Sequence, residues 1–173
     1  MQSFPRTLWL TGLSGAGKST LARHCWEELR NRGFSTLLLD GDRLRAGLCA
    51  DLGFAPAARR ENIRRAAELA ALANAQGFDV IAALISPLRG DRELARQLIG
   101  EPAFVEVHVS TALSVCEERD PKGLYRRARS GELHDFTGVS APYEVPMKPQ
   151  LRIDTAELTT AQGVAQLLNC LGR

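Results

Sequence analysis

The densest run of residues able to do chemistry is "GLSGAGKST", Gly12 to Thr20. Gly12 to Ser19 reads G-x-x-x-x-G-K-S, with an apolar run before it and a stretch of helical period after it. In that setting the pattern is a phosphate cradle of the Walker A type. Its glycines, Gly12, Gly15 and Gly17, let the main chain curl through Leu13, Ser14 and Ala16, so that successive N–H groups and the start of the next helix (Lys18, Ser19, Thr20) face an anion. Lys18 is expected to reach the β- and γ-phosphates of a nucleoside triphosphate, and the Ser19 hydroxyl to ligate magnesium.

A second constellation follows in "LLLDGDRLR", where Asp40 and Asp42 stand at i and i+2 after an apolar run. Two carboxylates so placed beside a phosphate loop can hold magnesium through water and orient or deprotonate an attacking hydroxyl. The same Asp-Gly-Asp can also simply turn the chain and cap a helix starting at Arg43. The third is "ARRENIRRAAE". Arg59 and Asn62 share a helix face with Ile63 and Ala66, and with Arg45 they can clamp an anionic, hydrogen-bonding acceptor through the guanidinium fork. Arg60, Arg64 and Arg65 project elsewhere and read as a solvated face. Phe54 and Phe136 each sit in a glycine-flanked loop, "LGFA" and "DFTG". Such rings either cover a flat base or anchor their loops.

Short apolar runs alternate with longer stretches of helical period, which argues for parallel strands joined by crossover helices. Strands are predicted at Thr7–Thr11, Thr36–Asp40, Asp79–Ile85, Phe104–Ser110 and Leu151–Asp154. Helices are predicted over Lys18–Arg32, Arg59–Gln76, about Asp91–Ile99, Thr111–Arg119 and Thr160–Leu171. Gly33, Gly77 and Gly100 fall where helix C-termini need positive φ. Trp9, Trp26 and Phe104 read as core aromatics. The predicted fold is α/β, a five-stranded parallel sheet with helices on both faces, in one domain. Asp120 to Pro149 breaks the rhythm, and a loop that long inside a compact domain is usually functional.

At 173 residues the chain is long enough to bury its own core as one domain. With 22 basic and 20 acidic side chains the net charge is +2, which gives no global reason for a nucleic-acid or membrane partner. No apolar run approaches the ~20 residues of a bilayer span. Cys25, Cys49, Cys116 and Cys170 lie far apart without metal-ligand spacing, so they read as buried free thiols of a cytoplasmic protein.

Taken together, "GLSGAGKST", "LDGDRLRAGL", "DLGF", "RRENIRR", "ISPLRGDRE", "EVHV", "VCEERDPKGLYRRARSGE", "FTG" and "APYEVP" resemble, in order and spacing, the adenylylsulfate kinases, P-loop kinases with a lid. "RDPKGLY" and "FTG" with "PYE" are far more specific than the phosphate loop. The resemblance runs from about Leu8 to the C-terminus. It implies transfer of the γ-phosphoryl of ATP to the 3′-hydroxyl of adenosine 5′-phosphosulfate (APS), giving PAPS, in a magnesium-dependent, cytoplasmic homodimer. By the same resemblance Asp42 faces the acceptor ribose and Asp40 the magnesium; Arg45, Arg59 and Asn62 hold the phosphosulfate; Phe54 and Phe136 sandwich its adenine. Ile85 and Ser86 border the acceptor, Ser86 matching the family's phosphoserine position. Lys122, Arg126 and Arg127 belong to a lid that excludes water, and Phe136 is expected as an exposed ring on it.

The chain departs from the family at Arg43, Ala58 and Leu88, none of them an implied ligand. The N-terminal extension of many family members is expected to be absent, and with no sulfurylase-like domain the chain is not expected to make APS itself. Two other readings stand beside this one: a small P-loop kinase for another anionic nucleotide or sugar, and a non-catalytic nucleotide-binding regulator.

Overall fold

The computed structural model describes residues 4–173. The sheet begins with β1 (Thr7–Thr11), whose alternate residues split between two cores. Leu8 and Leu10 enter one cluster and Trp9 the other, as the two-residue period of a strand buried on both faces requires. The remaining strands are β2 (Thr36–Asp40), β3 (Asp79–Ala83), β4 (Phe104–Val109) and β5 (Leu151–Ile153). All pairings are parallel, in the order β2-β3-β1-β4-β5. The order reverses at β1, so the crevice beyond its carboxyl end, where ligands sit in open α/β sheets, is where the phosphate loop emerges.

Helices cover both faces. On one, α1 (Lys18–Asn31) packs beside α7 (Thr160–Leu171) over Leu10, Val107 and Ile153. They approach closely because α7 carries Gly163, where a Cβ would come within 2.7 Å of the Leu21 side chain. On the other face, α3 (Pro56–Ala75) lays Ile63, Ala66, Ala67 and Ala70 against Trp9, Val80 and Ala82, beside α4 (Arg89–Ile99). Short helices α2 (Gly41–Ala46), α5 (Leu113–Arg119) and α6 (Leu124–Arg129) rim the carboxyl edge.

The predicted parallel α/β sheet is therefore the observed one. α7 has the predicted bounds, and Gly33, Gly77 and Gly100 have φ of 84°, 90° and 83°. Several other ends shift by one or two residues, α6 lies in the segment read as a loop, and three further details differ. β3 stops at Ala83, because the chain leaves the ladder there and Ser86 takes a φ of 38°. α3 starts three residues before Arg59, with proline in its first turn, where a missing N–H costs nothing. Trp26 is only half-buried, with the Arg30 guanidinium 4.7 Å above its ring. Among the four cysteines, Cys25, Cys49 and Cys116 are buried, Cys170 is half-buried, and all are free; burial pushes the Cys25 thiol up to about 12. No helix among the described residues is long and apolar enough to cross a membrane.

Candidate active site

One cavity of about 1060 Å³ opens along the carboxyl edge of the sheet. That is at the upper limit of the ~300–1,000 Å³ usual for small-molecule pockets, so there is room for more than one ligand. One wall is the phosphate loop. At Gly12 a Cβ would lie 2.5 Å from the Val109 carbonyl oxygen, so only glycine lets the loop leave β1 against β4. Gly17 caps α1 with φ 98°, and its N-terminal N–H groups are left without a side-chain cap. Such groups are ready to receive an anion.

The loop's carbonyls are tied back. The Ala16 oxygen accepts from the hydroxyls of Thr155 (2.9 Å) and Thr111 (3.2 Å), and the Ser14 oxygen from the Tyr125 hydroxyl (2.9 Å). Arg119 donates to the Gly15 oxygen (3.3 Å) and to Thr155 Oγ1 (2.7 Å). With their oxygens occupied, the peptide units are held in one orientation. Lys18 Nζ donates to the carbonyls of Gly12 (2.9 Å) and Leu13 (2.7 Å). Burial lowers its pKa to about 8, the neighbouring carboxylates of Asp40 and Asp42 opposing the shift.

Asp40 ends β2 and serves two elements. Its Oδ1 caps α2 by accepting from the N–H groups of Asp42 (3.0 Å) and Arg43 (3.4 Å), and its Oδ2 accepts from the Ser19 hydroxyl at 2.6 Å. The capping function weighed from sequence thus falls on Asp40, and the capped helix begins at Gly41. This frees Asp42, which is exposed in the first turn of α2 and ion-paired with Lys122 across the cavity mouth.

The opposite wall carries the acceptor candidates. Arg45 lies with its guanidinium 4.4 Å from the centroid of the Phe54 ring, and that ring is 65% exposed. Burial, then the nearby charge of Arg59, lowers the Arg45 pKa. Arg59 donates from Nε to the Phe54 carbonyl (2.7 Å), from Nη1 to Thr137 Oγ1 (3.0 Å) and from Nη2 to the Asp135 carbonyl. A guanidinium has five N–H groups, so two remain for a ligand. Asn62 is buried in this wall, and its Oδ1 has no partner. A buried amide left unsatisfied is costly unless a ligand completes it. Arg60 and Arg64 are exposed and pair with Asp91 and Glu61, whereas Arg65, read as solvated, is half-buried and tied to Glu61, Asp51 and the Leu48 carbonyl.

One expectation changes here. Phe136 lines the cavity but is only 9% exposed, its ring edge-on to Tyr125 with centroids 5.0 Å apart. The segment turns back on itself, the Phe136 carbonyl accepting from the N–H groups of Val139, Ser140 and Ala141, which drives the ring into the α5–α6 side of the core. It is an anchor as well as a wall, not an exposed ring. Ser86 is 2% exposed; its hydroxyl accepts from the Trp9 indole N–H (3.1 Å) and donates to the Leu84 carbonyl (3.3 Å). Ile85, Ser86 and Pro87 all line the cavity, as expected of the turn that borders it.

The family description adenylylsulphate kinase matches residues 4–154. The chain belongs to the adenylylsulphate kinase family. The adenylyl-sulfate kinase of Shewanella amazonensis is 56% identical over 164 residues, 95% of this chain and 83% of that protein. The structure of a Mycobacterium tuberculosis APS kinase in complex with AMPPNP and APS superposes with a TM-score of 0.94 at 43% identity, covering 98% of each chain. A hexameric APS kinase from Thiobacillus denitrificans, 35% identical with a TM-score of 0.73, matches 99% of this chain and 29% of that one.

Sequence reasoning missed Thr111, Arg119, Tyr125 and Thr155, the residues that hold this kinase's phosphate loop from behind. Thr155 had a usable signal, since it follows β5 at the ligand-bearing edge. Tyr125 lay inside the specific run "RDPKGLY", but its role and that of Thr111 had no local signal, because their partners are main-chain carbonyls distant in sequence.

Proposed function

We propose that this kinase transfers the γ-phosphoryl of ATP to the 3′-hydroxyl of APS, releasing PAPS and ADP. The observation that carries the reading is a single cavity with a phosphate cradle on one wall, Arg45, Arg59 and Asn62 on the other, and Asp42 between them at its mouth. The N–H groups at the start of α1, with Lys18, take the β- and γ-phosphates. Ser19 Oγ and Asp40 Oδ2, two hard oxygen donors 2.6 Å apart, suit magnesium. Oxygens of the nucleotide phosphates and water would supply the remaining ligands of an ion held there. When bound, the ion neutralises charge developing on the phosphate oxygens.

Arg45 and Arg59 receive the phosphosulfate, Asn62 completes its amide on the acceptor, and Phe54 and Phe136 border the adenine. As the acceptor 3′-oxygen bonds to phosphorus, the bond from phosphorus to the β–γ bridging oxygen breaks. ADP leaves with that electron pair, and Asp42 accepts the hydroxyl proton. Phosphates arriving at the cradle compete with Asp42 for Lys122, releasing the carboxylate for this step. We assign the work to one domain in the cytoplasm and to a homodimer, which sedimentation of the purified chain tests.

The deciding experiment is ADP release with and without APS. Release should require APS and match PAPS formed mole for mole; equal release without APS would overturn the assignment.

A further inference from the structure

Behind the turn that carries Ile85 and Ser86 lies a buried charge the proposed chemistry does not use. Arg92, in the first turns of α4, is 3% exposed. Its Nε donates to Glu106 Oε1 (2.8 Å), its Nη1 to the Ser86 carbonyl (2.7 Å) and its Nη2 to the Glu144 carbonyl (2.6 Å). Ser86 needs such support, since its φ of 38° is a left-handed conformation that side-chain-bearing residues adopt only when surroundings over-determine it.

The segment at 143–145 straps the same turn from outside. The Glu144 N–H donates to the Pro87 carbonyl (2.8 Å), and its Oε2 accepts from the Arg89 N–H (2.7 Å). The Tyr143 hydroxyl pairs with Thr11 Oγ1 (2.9 Å), which donates to the Ile85 carbonyl (2.7 Å). The Tyr143 ring stacks on His108 at 5.9 Å.

We propose that Arg92 is a positioning residue for the acceptor: one planar guanidinium joins β4, the strap and the Ser86 turn, and so sets the Ile85–Pro87 wall of the cavity. It touches neither substrate. The inference rests on reading that wall as part of the APS site. The shape of the fork is what matters, because three acceptors in three directions are beyond a lysine ammonium on a flexible stem. Arg96 supplies the control: its Nη2 also reaches Glu106 (3.4 Å), but it bonds neither Ser86 nor Glu144.

The test compares Michaelis constants for APS and ATP in Arg92→Lys, Arg96→Lys and the unaltered enzyme. Arg92→Lys should raise the APS constant about tenfold or more while ATP changes less than about twofold, since small misplacements of a positioning wall are costly at the reacting centre. Arg96→Lys should leave both within about twofold, because its ties, to Glu93, Glu101 and Glu106, do not reach the Ser86 turn. A proportional rise in both constants, an unchanged APS constant, or an equal effect in Arg96→Lys would overturn the proposal. Should Arg92→Lys fail to fold, Tyr143→Phe cuts the other tie and should raise the APS constant about threefold with ATP unchanged; no selective change there would also overturn it. Failure of the functional reading is separable, since it shows as APS-independent ADP release in the unaltered enzyme.

Discussion

Lys18 is a buried cation satisfied by two carbonyls, and the ligand competes with those carbonyls for it. Its lowered pKa, about 8, means that the charge is present below that pH and lost above it. A polyphosphate favours the charged form, so ATP binding should draw a proton from solution at about pH 8.5, and ATP affinity should fall as pH rises further. Calorimetry in two buffers of different ionisation enthalpy measures the uptake, and zero uptake would refute the account. Lys18→Ala should lower phosphoryl transfer on the order of 10²-fold or more, as expected when a positioned charge is removed from a developing anion. The two phenylalanines separate in another way. Phe136→Ala should cost about 3 kcal/mol of stability, the lower end for a buried phenylalanine because one side borders the cavity. Phe54→Ala should leave the melting temperature nearly unchanged and weaken APS about tenfold, given ~1–3 kcal/mol for a base on an aromatic ring. Thermal melts with and without APS measure both; a large loss of stability in Phe54→Ala would contradict its exposure. Sequence could not tell the two rings apart, because a glycine-flanked phenylalanine has the same local pattern whether or not a tyrosine eleven residues away, Tyr125, waits for it.

At the scale of the element, Asp40 joins a capping task to an ionic one. Asparagine caps about as well as aspartate, whereas alanine loses roughly 1 kcal/mol. Asp40→Asn should therefore keep the melting temperature but raise the magnesium concentration needed for half-maximal rate, while Asp40→Ala should lose both. Equal melting temperatures for the two variants would show that the cap contributes nothing. The long elements were legible because their periods are long: α3 and α7 repeat apolar residues over several turns, and β1 to β4 are apolar runs bounded by turn residues. α6 was not, since six residues have too few turns for a period. It is organised by Asp120, whose carboxylate accepts from the N–H groups of Tyr125 (3.0 Å) and Arg126 (3.1 Å). Spacing alone singled out the phosphate loop, the acidic pair and the helix of Arg59 and Asn62, and all three line one cavity. Which aspartate capped turned on local main-chain geometry together with Ser19 on α1, and where Ser86 placed its hydroxyl depended on Trp9 of β1.

Across the whole molecule, the cavity is closed by ties between distant parts of the chain. Lys122 meets Asp42, and Arg59 reaches Asp135 and Thr137. The first is exposed on both sides, so it contributes little to stability. Its removal should instead show in fidelity: Lys122→Ala should release more ADP than PAPS, because a loosened segment admits water to the γ-phosphate. A ratio that stays at one would count against a closing role. The sheet order has a consequence for how the protein is made. β1 spans Thr7–Thr11, yet the neighbours it pairs with begin only at Asp79 and Phe104, and Gly12 is shaped by the Val109 carbonyl. Such long-range pairing slows folding. On the ribosome, the apolar strand that leads into the phosphate loop is made before either of the strands it pairs with. Until β3 and β4 have followed, it is a sticky, unpaired edge, exposed to association with other chains.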